Sequence, residues 1–140
     1  MIFWDSSALV TLLVKEADTA RRFEQLRSDS AMAVSWASPV ECESAIQRRV
    51  RESALKASDA RLARARLIEL TRAWHEVAPT EGVRRLAVRL LRTHPLRAAD
   101  ALQLAAAITL ANAGLPNLKF ASADDQLNEA PETENLIVLS

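Results

Sequence analysis

The sequence predicts one α/β domain in which a mainly parallel β-sheet is covered by helices on both faces. Short apolar runs alternate with segments of helical periodicity along the whole chain, which is the pattern of such a fold. A length of 140 residues suffices for one ordinary domain and is too short for two, so we expect a single domain over residues 1–140. With only two glycines and five prolines, the chain has no low-complexity linker.

Five short apolar runs are predicted to be strands, because they are too short for helices and are bounded by polar or turn residues. They are Ile2–Trp4, Met32–Ser35, Glu76–Ala78, Leu118–Ala121 and Leu136–Leu139. Seven segments with apolar residues at helical spacing are predicted to be helices. They are Ser6–Lys15, Asp18–Arg27, Ser38–Arg51, Lys56–Ala73, Thr80–Thr93, Leu96–Ala113 and Asp124–Ala130.

Composition excludes several classes of protein. Cys42 is the only cysteine, so neither an intrachain disulfide nor a four-cysteine zinc site is possible. The N-terminal residues lack the basic start of a secretory signal, and no apolar run is long enough to span a bilayer, so we expect a cytoplasmic protein with no membrane partner. The 18 basic residues balance the 18 acidic ones, so any binding of nucleic acid must come from local patches.

Four carboxylates occupy positions at the ends of predicted elements. Asp5 and Asp124 follow predicted strands, whereas Glu41 and Asp100 lie in the first turns of predicted helices. Local roles are available for most of them, since Asp5 and Asp124 could cap the next helix and Glu41 fits a capping box with Ser38. Asp100 is harder to explain locally because it interrupts an apolar segment that we expect to be buried, and an unpaired buried carboxylate is costly.

In a parallel sheet these four acids gather at the edge where ligands of open α/β folds bind. Two like charges about 5 Å apart repel by roughly 3 kcal/mol at an effective dielectric near 20, so the cluster requires protons or a cation. Oxygen ligands suit Mg²⁺ or Mn²⁺ rather than zinc, and His75 and His94 stand alone in the sequence. A hard cation in such a site lowers the pKa of a bound water, orients it for in-line attack and neutralises charge on a transferring phosphoryl group.

Two other phosphate-handling folds also place acids at strand ends. A receiver-type domain needs a lysine after a late strand, whereas Lys119 lies at the beginning of its predicted strand. A haloacid-dehalogenase-type domain needs a second aspartate two residues after the first, and Ser7 occupies that position. Both alternatives therefore fit less well than a site in which a hard cation activates water.

Four blocks of the sequence resemble those of PIN-domain ribonucleases, and especially the VapC-like toxins of prokaryotic toxin–antitoxin pairs. In order, they are IFWDSSALV from Ile2, VECESAIQRR from Val40, LRAADALQLA from Leu96 and FASADDQL from Phe120. This resemblance spans essentially the whole chain. It implies a three-layer α/β/α sandwich, an acidic pocket for Mg²⁺ or Mn²⁺, and cleavage of single-stranded RNA by metal-activated water.

The resemblance also implies roles for individual residues. The matching catalytic and metal-binding acids are Asp5, Glu41, Asp100 and Asp124, and the matching supporting hydroxyls are Ser7 and Ser122. Glu41 is preferred over Glu43 because it fits the spacing Glu-x-x-x-Ala-x-x-Arg, and Asp124 is preferred over Asp125 because of the leucine at position 127. Gln103 is a departure, since many relatives have a histidine there, and it leaves the local hydrogen bonding open.

The partners implied by the resemblance are an RNA substrate, a cognate antitoxin and a second copy of the chain in a homodimer. The alternative is a catalytically relict PIN fold that only binds RNA or an antitoxin, although the presence of all four acids argues against it. Arg85, Arg89 and Arg92 share one helix face, so they are candidates for contact with RNA or a partner, with a solvated face as the alternative. Trp36 and Trp74 are expected in the core rather than stacked on bases.

Overall fold

A parallel five-stranded sheet forms the centre of the protein. The structure is a computed structural model that describes residues 1–140, apart from the side chains of Gln126 and Asn128. Along the described chain the strands are β1 (Ile2–Trp4), β2 (Met32–Ser35), β3 (His75–Val77), β4 (Lys119–Ala121) and β5 (Ile137–Leu139). They lie in the order β3-β2-β1-β4-β5, and every neighbouring pair is parallel.

Helices connect the strands and end close to their predicted positions. They are α1 (Ser6–Leu13), α2 (Thr19–Ser28), α3 (Ser38–Arg51), α4 (Ala57–Thr71), α5 (Glu81–Thr93), α6 (Ala98–Asn112) and α7 (Asp125–Thr133). The Thr80 side chain caps α5 by accepting a hydrogen bond from the Val83 amide at 3.3 Å, as predicted from their spacing. None of the helices in the described part of the chain is long and apolar enough to cross a membrane.

Two apolar cores cover the two faces of the sheet. Ile2 and Trp4 of β1 pack into one core together with residues of α1, α3 and α4, whereas Phe3 packs into the other core with residues of α5 and α6. Alternate residues of a strand point to opposite faces, so three consecutive apolar residues in β1 require a cover on both sides. This arrangement confirms the predicted three-layer α/β/α sandwich.

The sheet register places the ends of β1 and β4 side by side. Trp4 lies opposite Ala121, and the Asp5 amide donates a hydrogen bond to the Ala121 carbonyl at 2.9 Å. Asp5 and Ser122, which follow the two strands directly, are therefore adjacent in space. The carboxyl edge of the central strands is the place where the fold brings distant polar residues together.

The structure contradicts the predicted capping box at the start of α3. Ala37 is the N-cap of this helix and makes no side-chain cap hydrogen bond, while Ser38 is already helical and completely buried. The Ser35 hydroxyl instead accepts a hydrogen bond from the Ala37 amide at 3.2 Å. Because α3 begins one residue before the position that the Ser-Pro signal indicates, the Ser38 hydroxyl lies in the interior, where it needs a buried partner.

The two tryptophans differ in exposure. Trp74 is 9% exposed and belongs to the core, as expected, but Trp36 is 57% exposed. Trp36 lies in the short turn between β2 and α3, outside both elements that pack into the core. The expectation that Trp36 is a core residue is therefore wrong.

Candidate active site

A cavity of about 670 Å³ at the carboxyl edge of β1 and β4 brings the four predicted acids together. Its lining includes all four: Asp5, Glu41, Asp100 and Asp124. The four come from four different places in the fold, namely the end of β1, the first turn of α3, the first turn of α6 and the loop before α7. The cavity is therefore produced by the tertiary structure and not by any one segment of sequence.

Asp5 is a helix cap and a buried site residue at the same time. Its Oδ2 atom accepts a hydrogen bond from the Ser7 amide at 3.1 Å and a second from the Ser7 hydroxyl. The Ser122 hydroxyl donates a third to the same oxygen at 3.2 Å. All of these described donors bind Oδ2, and none of the described hydrogen bonds of Asp5 goes to Oδ1.

Burial changes the acidity of Asp5. Only 5% of the residue is exposed, and the loss of solvent raises the pKa of its carboxyl group from 3.8 to about 6. The hydrogen bonds from Ser7 and Ser122 oppose this rise in pKa, while the negative charge of Glu41 adds to it. Without a cation, Asp5 therefore holds a proton up to about pH 6, well above the ordinary range for an aspartate.

Two serine hydroxyls connect the β1 side of the cavity to the β4 side. Ser7 and Ser122 lie with their Oγ atoms 3.2 Å apart. The Ala123 amide donates to the Ser7 hydroxyl at 2.9 Å, and the Asp124 amide donates to the Ser122 hydroxyl at 3.0 Å. The two predicted supporting residues thus hold Asp5 and the loop that carries Asp124 in one hydrogen-bonded unit.

Gln103 donates a hydrogen bond to Glu41, which describes the local hydrogen bonding that the sequence alone left open. Its side chain is 1% exposed, and its amide nitrogen donates to Glu41 Oε1 at 3.1 Å and to the Ser6 hydroxyl at 2.8 Å. The Ser38 hydroxyl is a third acceptor at 3.4 Å. An uncharged amide at this position therefore ties α6 to the beginnings of α1 and α3.

Glu43 lies on a different side of α3 and outside the cavity lining. Its Oε1 atom accepts hydrogen bonds from Arg64 Nε on α4 at 3.0 Å and from the side-chain amide nitrogen of Gln47 at 2.9 Å. This geometry agrees with the choice of Glu41 over Glu43 as the residue that faces the site.

Asp100 is less buried than the sequence indicates. Its side chain is 21% exposed, and its Oδ2 atom accepts a hydrogen bond from the Arg97 amide at 3.4 Å in a capping-box arrangement. The apolar segment around it includes Ala98, Ala99 and Leu102, all of which are exposed. The expectation that Asp100 is buried within an apolar segment is therefore wrong, although Asp100 does line the cavity.

The cavity also has a basic rim that sequence reasoning did not single out. Arg48, Arg49 and Arg97 line the cavity, and Arg49 forms an ion pair with Glu16 at 2.5 Å. Their positions in the sequence could have indicated this rim, because Arg48 lies in the same segment as Glu41 and Arg97 lies in the same segment as Asp100.

The predicted arginine face of α5 lies elsewhere. None of Arg85, Arg89 and Arg92 lines the acidic cavity, although all three are exposed. Arg89 forms an ion pair with Glu134 at 3.1 Å, and Glu134 also contacts His94 Nε2 at 3.0 Å. These bonds lower the pKa of Glu134 below its ordinary value, so at neutral pH Arg89 has a charged partner within the chain.

The donor set of the cavity fits a hard divalent cation by its chemistry. The four acids supply only oxygen ligands, which Mg²⁺ and Mn²⁺ prefer, and the described lining contains no histidine or cysteine. In this conformation, no three histidine, cysteine, aspartate or glutamate side chains among those described are placed to hold one metal ion. Binding of one cation by three or more of these carboxylates would therefore require them to move closer together.

Comparisons with known proteins agree with the fold. The chain belongs to the PIN-domain family, whose profile matches residues 2–132. A search of curated proteins gave no significant match.

Several solved structures are similar over nearly the full length. VapC20 of Mycobacterium tuberculosis, described as a sarcin–ricin loop cleaving toxin, is 19% identical with a TM-score of 0.67 over 93% of this chain and 95% of that one. FitAcB from Neisseria gonorrhoeae is 16% identical with a TM-score of 0.69 over 100% and 97% of the two chains. VapBC2 from Rickettsia felis, bound to a DNA fragment from their promoter, is 14% identical with a TM-score of 0.65 over 99% and 98%. At these identities the similarity demonstrates a shared fold.

Substitution of Asp5 by asparagine should stabilise the metal-free protein at neutral pH. A folded-state pKa of about 6, raised from 3.8, means that the folded protein holds a proton which the unfolded chain has lost. Wild-type stability therefore falls as pH rises from about 4 through about 6. Asparagine removes this penalty, which is up to about 3 kcal/mol at 1.36 kcal/mol per pKa unit, and retains an oxygen that can accept from Ser7 and Ser122.

The measurement is the free energy of unfolding of wild type and Asp5→Asn in EDTA between about pH 4 and pH 8. The two proteins should be similar in stability at the acidic end and diverge towards neutral pH. A difference in stability that stays constant across this range would show that Asp5 does not titrate as proposed.

Proposed function

We propose that this protein is a metal-dependent endoribonuclease that cleaves single-stranded RNA and acts as the toxin of a toxin–antitoxin pair. The observation that carries the proposal is the cavity in which Asp5, Glu41, Asp100 and Asp124 converge from four separate places in the fold. Membership of the PIN-domain family supports a nuclease, and the similarity to VapC20, described as a sarcin–ricin loop cleaving toxin, supports the toxin role.

The residues of the cavity divide into ligands and supports. Asp5, Glu41, Asp100 and Asp124 would hold Mg²⁺ or Mn²⁺. The bound ion would supply a water of lowered pKa and neutralise charge on the phosphate that is attacked. Ser7 and Ser122 orient Asp5 through hydrogen bonds to its Oδ2 atom, which keeps Oδ1 available.

A covalent route has little support in the cavity. Its described lining contains serine hydroxyls but no histidine, lysine or cysteine that could activate or replace a nucleophile. Cys42 follows Glu41 in the sequence but is buried, and burial raises the pKa of its thiol to about 12. Attack by water is therefore the chemistry that the residues favour.

The rim arginines are proposed to hold the RNA backbone. Arg48 and Arg97 are exposed at the mouth of the cavity, where guanidinium groups can contact the phosphates on either side of the cleaved bond. Such contacts would offset the repulsion between the acidic cavity and the polyanionic substrate. The Arg85, Arg89 and Arg92 face remains a candidate for a second contact with RNA or an acidic partner.

We also propose a cognate antitoxin and a second copy of this chain as partners of a cytoplasmic protein. The solved VapBC2 structure, with DNA from their promoter, supports the antitoxin. Exposed apolar side chains support a protein partner, since Val40 of the cavity lining is 70% exposed and Leu102, two residues after Asp100 on α6, is 42% exposed. Sedimentation analysis of the chain alone and with its antitoxin tests both assignments.

Cleavage should depend on an added divalent cation. Purified protein treated with EDTA should leave single-stranded RNA intact, and added Mg²⁺ or Mn²⁺ should restore cleavage because the carboxylates alone cannot activate water. The measurement is the rate of product formation on a labelled RNA across a titration of metal. Full cleavage of RNA in excess EDTA would rule out the metal mechanism, and absence of cleavage with every metal and RNA tested would favour a relict, binding-only fold.

Glu41→Gln should abolish cleavage while leaving the fold intact. Loss of a ligand should reduce the rate by about 100-fold or more, since loss of even an outer-shell partner typically costs about 10–100-fold. Glutamine keeps an oxygen that can accept the hydrogen bond from Gln103, and the charge that it removes adds to the repulsion around Asp5. The melting temperature of the metal-free variant should therefore equal or exceed that of wild type.

Glu43→Gln is the matched control on the same helix. It removes the same charge but disturbs only contacts outside the cavity, namely the half-exposed pair with Arg64 and the hydrogen bond from Gln47, so cleavage should remain near the wild-type rate. Loss of cleavage in Glu43→Gln with retention in Glu41→Gln would show that the assignment of the site on α3 is wrong.

The rim and the α5 face can be compared by the salt dependence of RNA binding. Replacing Arg48 and Arg97 with glutamine should flatten the slope of log K against log salt by about 0.7 for each phosphate that is no longer neutralised. The variant with Arg85 and Arg92 replaced removes the same charge from α5 and should keep the wild-type slope. The opposite pattern would place the RNA on the α5 face, and two unchanged slopes would leave both sets as solubilising charges.

A further inference from the structure

A buried arginine lies directly behind the acidic cavity, outside the set of ligands, supports and rim residues described above. Arg22 of α2 is 1% exposed and is one of the largest fully buried side chains of the described protein. None of its described hydrogen bonds goes to a carboxylate, and its Nε atom has no acceptor among the described residues. A charged group held in the interior without a hydrogen-bonded counter-charge is costly, so its presence there calls for an explanation.

The guanidinium group of Arg22 binds the ends of two strands. Its Nη2 atom donates to the Ser122 carbonyl just after β4 at 2.6 Å, and its Nη1 atom lies 3.4 Å from the Leu139 carbonyl of β5. Nη1 also donates to the side-chain oxygen of Gln25 on the same helix at 3.0 Å. Arg22 is therefore fixed between α2 and the carboxyl edge of the sheet.

Ser122 is the residue through which this contact reaches the site. While its carbonyl accepts from Arg22, its hydroxyl donates to Asp5 Oδ2 at 3.2 Å and accepts from the Asp124 amide at 3.0 Å. Ser122 is itself 1% exposed, so water does not replace these bonds. A displacement of the Ser122 backbone would move its hydroxyl relative to both acids.

We propose that Arg22 is a positioning residue of the candidate active site: its guanidinium group fixes the Ser122 carbonyl, and the Ser122 hydroxyl in turn sets the positions of Asp5 and Asp124. This inference rests on the proposed function, because the two acids are taken as ligands of a divalent cation. A charged donor suits this task, since a charge-assisted hydrogen bond is stronger and shorter than a neutral one. The planar fork of arginine directs two separate nitrogen atoms at the two carbonyls, whereas lysine has a single nitrogen for both.

Three variants separate positioning from charge and from stability. Arg22→Met removes both the charge and the fork, whereas Arg22→Lys keeps the charge and loses the fork. Arg21→Met is the matched control, because Arg21 is the neighbouring residue on α2 and its half-exposed side chain forms an ion pair with Asp18 at 2.9 Å, away from the cavity. For each protein we would measure the Kd for Mn²⁺, the kcat and KM for RNA, and the melting temperature.

Positioning predicts that the Kd for Mn²⁺ rises by about tenfold in Arg22→Met, as for loss of an outer-shell partner. Arg22→Lys should show a smaller rise in the Kd for Mn²⁺. In both Arg22 variants kcat should fall together with metal affinity, while KM for RNA stays close to wild type. Arg21→Met should change none of these values.

If Arg22 acted only as a counter-charge, Arg22→Met would bind Mn²⁺ more tightly and Arg22→Lys would match wild type. If it were purely structural, melting temperatures would fall with no change in Kd. Either of these results would overturn the proposal.

Hydrogen exchange in metal-free protein tests the positioning separately from the proposed function. The amides of Ala123 and Asp124 donate to the Ser7 and Ser122 hydroxyls, so both should exchange faster in Arg22→Lys than in wild type or Arg21→Met, with the amides of α6 unchanged. Unchanged exchange at these two amides would overturn the role of Arg22, whether or not the protein binds Mn²⁺. Faster exchange in a protein that neither binds Mn²⁺ nor cleaves RNA would support the positioning and refute the nuclease. If Arg22→Met does not fold, Arg22→Lys alone decides the outcome.

Discussion

The carboxylate of Asp5 is buried at the end of the central strand, and the surrounding structure must compensate for its lost solvation. A carboxylate loses solvation when only 5% of its residue is exposed, and three hydrogen-bond donors partly compensate for that loss. Two of the donors come from Ser7 in the next helix, and the third comes from Ser122 at the end of the neighbouring strand. The cost of burying Asp5 is thus offset in part by a residue that is distant in sequence.

The parallel sheet explains why those residues are available. Because β1 and β4 are neighbours with Trp4 opposite Ala121, the residues that follow them emerge side by side. The helices that cover the sheet begin at the same edge, which adds Glu41 from α3 and Asp100 from α6. Buried amide and hydroxyl groups, with Gln103 as the centre of one set, then link these helix ends to one another. The acidic cavity is a consequence of the topology, and the hydrogen bonds refine its geometry.

Much of the fold and the placement of the acids could be predicted from local pattern. Alternating apolar runs and helical segments indicate a parallel sheet, and an acid directly after a strand must lie at its carboxyl edge. The N-cap of α3 could not be predicted, because Ser38, which fits a capping box by its local sequence, has a buried partner that only the tertiary structure supplies. The exposure of Trp36 and the burial of Arg22 share this cause. A side chain's environment depends on neighbours from other elements, and residue type alone favours the opposite environment in both cases.

The proposed nuclease requires that carboxylates among Asp5, Glu41, Asp100 and Asp124 bind a divalent cation in the cavity. Anomalous scattering from crystals soaked in Mn²⁺ tests this requirement most directly, because the peak reports the position of the metal without reference to activity. We predict a Mn²⁺ peak in the cavity, within about 2.0–2.6 Å of oxygens from at least two of these side chains, in the range expected of hard cations. Two observations together would contradict a metal site in the cavity. Mn²⁺ would be bound at full occupancy elsewhere on the protein, and the carboxylates of an accessible cavity would still be apart.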